Sequence, residues 1–275
     1  MGRILLLLLL AIPFSIRADM LSVSLSTLEW PPYVGENLAD GGYAQAVVTQ
    51  AFAEVGIRVQ IRIYPWARAL QLAKQGKVEG LFPEYLAPDE RPELLFSDPF
   101  PGGPVGLYKL RSQPVRFSVD PRSNPEEAFK VLAGLRLGLV RGYVNHPALD
   151  NNPLFKPSFA SSDQHNLDKL LGGRVDIIFI DFKVAEYLIA QAYPAQAERF
   201  VALQPALLQP SLHLTLTRQH PEAEAKMAAF NRGLSQLKAS GELALLMQEH
   251  GFATVMTSQP YGLHIRHEVA PPTDP

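Results

Sequence analysis

The sequence predicts an α/β protein of two lobes, the first assembled from both ends of the chain and joined to the second by two crossing segments. Three observations carry this. The chain has 275 residues, of which 47% are hydrophobic and 19% charged, enough apolar material for two modest cores. The stretch Gly76 to Phe100, GKVEGLFPEYLAPDERPELLFSDPF, is echoed in its front half by Gly173 to Asp181, GRVDIIFID. In both, a helix stops at glycine, a basic residue and valine lead to an acidic one, and an apolar strand follows. Finally, proline-bearing segments separate these units and mark places where the chain passes between lobes. Each unit delivers a charged residue beyond the C-terminal end of its strand, Arg91 in one and Asp181 in the other. Open parallel sheets bind small ligands at that edge, so two lobes offer opposite charges to one cleft.

The N-terminus reads as an export signal over residues 1–18: Arg3, the apolar run Ile4 to Ile12, a break at Pro13 and a small residue at Ala18. The run is too short to span a bilayer as a helix; the alternative is an uncleaved anchor. The net charge of −2 points to no nucleic acid or acidic membrane surface as a partner. With no cysteine in the chain, disulfides, thiolate metal sites and thiol nucleophiles are excluded. The histidines are scattered, and the close pair His264 and His267 falls in a proline-rich tail, so neither a metal nor a cofactor is expected.

In chain order, Leu21 to Leu25 is a strand, followed by the loop Thr27 to Asn37, TLEWPPYVGEN. Its adjacent prolines hold the backbone extended and place Trp30 and Tyr33 beside a cleft, or else as plugs at a core edge. A helix runs from Tyr43 to Val55 with its apolar residues at helical spacing, and Arg58 to Tyr64 alternates as a half-exposed strand. Pro65 starts the next helix, which puts Trp66 and Arg68 in its first turn near the ligand edge; packing for Trp66 and solvent for Arg68 are the alternatives. Pro101 to Pro104 and the polar stretch Gln113 to Asn124 mark the first crossing, and Gln204 to Pro210 the return. Between them the strands are Val105 to Leu110, Arg136 to Val140, Val175 to Ile180 and Phe200 to Leu203. After them come the strand Leu212 to Thr217 and two helices to His250. The lobes so defined are 19–107 with 211–256, and 108–210, with a loose tail over 257–275. Two linkers of this kind suit closure about a hinge.

Together, the export signal, the W-P-P-Y loop, the G-K-V-E strand entry, the D-E-R…FSDPF segment and GRVDIIFID resemble the periplasmic solute-binding proteins of family 3, the amino-acid-type receptors of ABC importers. The likeness covers nearly all of the chain after the signal, in motifs that are individually short. It implies the two-lobe periplasmic-binding-protein-like (type II) fold, a periplasmic location, a monomer, and a transient partner in an ABC permease of the inner membrane. It implies that Arg91 binds a ligand α-carboxylate, that Asp181 binds an α-ammonium, that Trp30 stacks on the ligand and that Trp66 is an apolar platform. The chain departs from the family pattern in carrying Pro83, Glu84, Tyr85 and Leu86 where small hydroxyl residues are usual, and Tyr143 and Val144 after the second-lobe glycine. Glu84 and Tyr143 therefore join the candidate binding residues, and the expected ligand is an amino acid or related polar solute, cationic or aromatic.

Other roles compete. Arg91 can pair within its lobe with Glu90, Glu93 or Asp98, and Asp181 can cap the helix that starts at Phe182. A periplasmic lyase or dehydratase would use Glu84 and Asp181 as acid and base, although no nucleophile elbow, zinc-binding HExxH or phosphate loop is present. No catalytic residue is assigned. A sensor that reports its ligand to a membrane receptor would need the same cleft.

Overall fold

A computed structural model describes residues 21–150 and 152–252. The expected signal, residues 1–18, and the expected tail, 257–275, lie outside the described residues.

The first sheet forms from β1 (Ser22–Thr27), β2 (Arg58–Ile63), β3 (Gly80–Tyr85), β4 (Leu94–Phe96) and a late strand, Leu212–Thr217, in the order β2-β1-β3-(212–217)-β4. The first three strands are parallel and the late strand runs antiparallel to its neighbours. Parallel neighbours need crossover connections. Helices α1 (Tyr43–Ala53) and α2 (Trp66–Lys74) supply them. The core of this lobe joins Val23 and Leu25 to Val47, Phe52 and Phe230, with the Phe52 and Phe230 rings 5.1 Å apart.

The second sheet holds β5 (Val105–Leu110), β6 (Arg136–Val140), β7 (Lys156–Ala160), β8 (Ile177–Asp181) and β9 (Phe200–Leu208), in the order β7-β6-β8-β5-β9. The apolar run of β8 is buried on both faces. Ile177 and Phe179 join Phe129 and Leu137 in one core, while Ile178 and Ile180 join Leu167 and Ala185 in another. That two-residue alternation explains why the strand reads as unbroken hydrophobic sequence. Helix α3 (Pro125–Phe129) covers the first face, and α4 (Asp163–Leu171) and α5 (Phe182–Ala192) the second. The chain then returns through β10 (Leu212–Thr217) to the first sheet and ends its described part with α6 (Ala223–Ser240) and α7 (Glu242–Glu249).

Two boundaries and one strand differ from expectation. A division at residue 107 would cut β5, which pairs along its length with β8 and β9, whereas Phe100 still pairs with Leu212 of the first sheet, so the chain changes sheet between residues 101 and 104. The return is shorter than Gln204 to Pro210, because β9 continues to Leu208. Proline lacks a ladder N–H, and β9 accommodates Pro205 by shifting register against β5 between Val105 and Leu107. Strand β7 carried no legible signal: Lys156, Pro157 and Phe159 are exposed, Ser158 is half-buried and only Ala160 of the strand is buried, as suits an edge strand.

The same device operates in β3. Glu84 pairs with His213 and Leu81 with Thr215, so β3 carries one residue more than β10 across Phe82 and Pro83. Such a bulge bends a strand and re-aims the side chains that follow it, here Glu84 and Tyr85.

Candidate functional site

Every group of the site lies just past the C-terminal end of a strand. In the first lobe, Trp30 follows β1, Trp66 follows β2, and Glu84 and Tyr85 end β3. In the second, Gly142 follows β6, Asp163 follows β7, and Asp181 ends β8. The two edges face each other, and among the described residues four hydrogen bonds cross between lobes. Tyr33 Oη donates to Asp181 Oδ2 (3.0 Å) and Trp30 Nε1 to Asp163 Oδ2 (3.0 Å). Trp66 Nε1 and Arg91 Nη2 both donate to the carbonyl of Gly142, each at 2.8 Å.

Local sequence fixes these positions. The two prolines of the first loop occupy the middle of a tight turn, closed by Tyr33 N–H donating to the Trp30 carbonyl at 2.9 Å. The turn brings the Trp30 and Tyr33 rings face to face, centroids 4.4 Å apart. Gly142 has φ +83°, a backbone state open to glycine at little cost, and its carbonyl receives the two donors from the opposite lobe. Ser162 caps α4 by accepting from His165 N–H, which leaves Asp163 in the first turn, where the helix dipole favours an anion. Asp181 caps α5, its Oδ1 accepting from the N–H groups of Lys183 (2.8 Å) and Val184 (3.2 Å). The capping role and the position in the cleft hold together, because different oxygens serve them.

Arg91 pairs with neither Glu93 nor Asp98. Its Nε donates to Glu84 Oε2 at 3.3 Å, Nη1 donates to the Glu90 carbonyl at 3.3 Å, and the Glu90 carboxylate stands 4.0 Å away. Glu84 spends its other oxygen on the N–H of Tyr85 (3.1 Å). Glu84, Asp163 and Asp181 are 4%, 4% and 3% exposed, and Arg91 is 7% exposed. Three buried carboxyls therefore share one cleft with one buried guanidinium.

Burial dominates their protonation. It pushes Glu84 up to about 7, against the opposing pull of Arg91. It raises Asp163 to about 6, resisted by the bonds from Tyr143 and Trp30. Asp181 rises to about 7, held back by the capping N–H groups and Tyr33 and pushed further by the charge of Asp163. The phenols of Tyr33, Tyr85 and Tyr143 are held well above their usual range, first by burial and then by these carboxyls.

Of the residues predicted from sequence, Trp30, Trp66, Glu84 and Tyr143 line a cavity of about 30 Å³ between the lobes, and Tyr33, Arg91 and Asp181 are bonded at the same interface. The Trp66 and Tyr143 rings meet edge to face at 6.0 Å. Arg68 does not join them. It is exposed, with its guanidinium over the Tyr64 ring at 5.0 Å, since the helix turns its side chain away from the cleft that Trp66 faces. Two participants were not among the candidate binding residues, Tyr85, noted only as a departure from the family pattern, and Asp163. Tyr85 lines the cavity, and Asp163 accepts from both Trp30 and Tyr143. The run Ser161-Ser162-Asp163 signals a helix start, and nothing in it separates a buried carboxylate from an ordinary first-turn acid.

No protein-family model and no curated protein matches this sequence. Solved structures do match its shape. A histidine kinase sensor domain similar to periplasmic binding proteins superposes with TM-score 0.69 at 18% identity, over 84% of this chain and 96% of that one. The substrate-binding protein of an amino-acid ABC transporter gives 0.68 at 14%, over 83% and 98%. A periplasmic binding protein of an arginine transport system from Legionella pneumophila gives 0.67 at 16%, over 84% and 99%. Strand order, the double passage between sheets and these superpositions agree: the chain has the two-lobe periplasmic-binding-protein-like fold.

Proposed function

We propose that this protein is a solute receptor: it binds a small polar solute, an amino acid or a related and cationic compound, by closing its lobes, and delivers it in the periplasm to the permease of an ABC importer. One observation carries the reading. Buried charged groups from both lobes meet at one interface: Glu84 lines the cavity with Trp30, Trp66 and Tyr143, while Arg91, Asp163 and Asp181 are hydrogen-bonded across the lobes around it. A ligand held there makes its charge contacts to both lobes at once and out of water, where they are strongest. The segments 101–104 and 209–211, which join the sheets, serve as the hinge. The amino-acid and arginine receptors of the same fold support both the transport role and a cationic solute. The receptor works as a monomer, without cofactor, and a lyase acting through Glu84 and Asp181 is the less favoured assignment, because Glu84 is already committed to Arg91. The sensor-domain likeness favours a second reading, in which closure is reported to a membrane receptor.

Mass spectrometry of small molecules released on denaturing the purified protein tests the proposal, followed by thermal-shift titration with a panel of amino acids and amines. A true ligand raises the melting temperature progressively with concentration. A flat response to the whole panel, with nothing released, refutes the receptor reading. Release of a chemically altered product would assign a lyase instead.

A further inference from the structure

We infer that the cleft selects a small organic cation, an amine or guanidine, that carries no carboxylate. The inference rests on the receptor reading and concerns which end of a solute the site can hold.

The charge balance comes first. Three buried carboxyls face one buried guanidinium, so when all are ionised two negative charges stand uncompensated in a low-dielectric space, and burial of such charge is costly unless it is paired. A cationic guest supplies the missing charge; an added carboxylate worsens the deficit.

The hydrogen bonds point the same way. A guanidinium grips a carboxylate with two parallel N–H donors, but three of the five N–H groups of Arg91 are taken, by Glu84 Oε2, the Glu90 carbonyl and the Gly142 carbonyl, and a second carboxylate there would stand beside Glu84, like charge against like. Glu84 occupies the very partner a ligand carboxylate would need. Asp163 is arranged in the opposite sense. The bonds from Trp30 and Tyr143 both fall on Oδ2, which leaves Oδ1 to accept from a guest N–H. The hydroxyl of Tyr85, whose ring lines the cavity, lies against the Asp181 carboxyl, and its oxygen accepts no hydrogen bond among the described residues. It offers a lone pair to the same donor. Trp30, Trp66 and Tyr143 complete the wall with aromatic surfaces that attract a cation.

Calorimetry on the full-length protein with matched pairs differing by one carboxylate tests this: agmatine with arginine, putrescine with ornithine, histamine with histidine, tyramine with tyrosine. In any pair that binds, the decarboxylated member is expected to bind at least tenfold more tightly. The Glu84→Gln variant, which releases Arg91, is expected to reverse the order, with the carboxylate-bearing member gaining tenfold or more; Asp163→Asn is expected to lose the amine at least tenfold. Circular dichroism confirms that each variant folds. Equal or tighter binding of the amino acid by the natural protein overturns the inference while leaving a solute receptor in place. Binding by no member of any pair also overturns it, and the released-solute spectrum then decides separately whether the receptor reading survives.

Discussion

Replacing Asp181 with asparagine should stabilise the unliganded protein at alkaline pH and do nothing at acidic pH. The folded protein holds the Asp181 carboxyl at about 7 against an ordinary value of 3.8, chiefly through burial. Between those values the native state binds a proton that the unfolded chain has released, so stability falls as pH rises from about 4 to 7 and is level above. From pH 5 to pH 8 the span still to be crossed is about two pH units, and at 1.36 kcal/mol per unit the loss attributable to Asp181 is up to about 3 kcal/mol. Asparagine removes this term while retaining a good helix cap, and its amide still offers a donor to Tyr33 Oη, now 3.0 Å from Oδ2. Because 2–4 °C per kcal/mol is typical for a chain of about this size, the variant's advantage in melting temperature over the natural protein should be roughly 5–10 °C greater at pH 8 than at pH 5. Thermal and urea unfolding at the two pH values, in ligand-free buffer, measure the difference. A variant less stable than the natural protein at pH 8, or a natural protein that gains stability between pH 5 and pH 8, would refute the claim that burial governs this carboxyl.

Three further outcomes follow from the same geometry. Arg91→Ala leaves Glu84 buried without its cation and should cost about 3–5 kcal/mol in urea unfolding at pH 8, less at pH 5, where Glu84, raised to about 7, is already neutral. In Gly103→Ala the new Cβ would sit 2.2 Å from Tyr33 Oη and 3.0 Å from Asp181 Oδ2, so the Tyr33–Asp181 bond must break; a loss of about 1–3 kcal/mol and weaker solute binding by calorimetry are expected. Trp30→Phe keeps a ring against Tyr33 but removes the donor to Asp163, and should lower stability by about 1–2 kcal/mol, with unchanged stability disproving the bond.

The rule that ligands gather at the C-terminal ends of parallel strands located most of the cleft before any coordinates. Asp181 ends the apolar run of β8, legible because that strand is buried on both faces, while Trp30 and Trp66 stand just beyond β1 and β2, which alternating apolar and polar residues mark. The rule reaches less far where strand identity is hidden. Asp163 follows β7, whose largely exposed residues carry no periodic signal, so no strand end marked the position. Tyr85 and Glu84 owe their direction to the bulge at Pro83, and a proline in sequence announces an irregularity without fixing where the next side chain will point. Arg68 illustrates the converse: it was placed by proximity to the same strand end as Trp66, and one helical step turned it onto Tyr64 in solvent.

The sequence by itself determined most of the local elements and the lobe count, because apolar period, glycine stops and proline breaks act over a few residues and are written in consecutive letters. The tertiary structure alone decided who pairs with whom across the cleft. Arg91 meets Glu84 and the Gly142 carbonyl, Asp163 gathers Trp30 and Tyr143, and Tyr33 reaches Asp181 over 148 positions of chain. Those pairings, and the raised carboxyl protonation that goes with them, come from desolvation and from the docking of two separately folded edges. Both are properties of the assembled volume, for which a one-dimensional pattern holds no symbol.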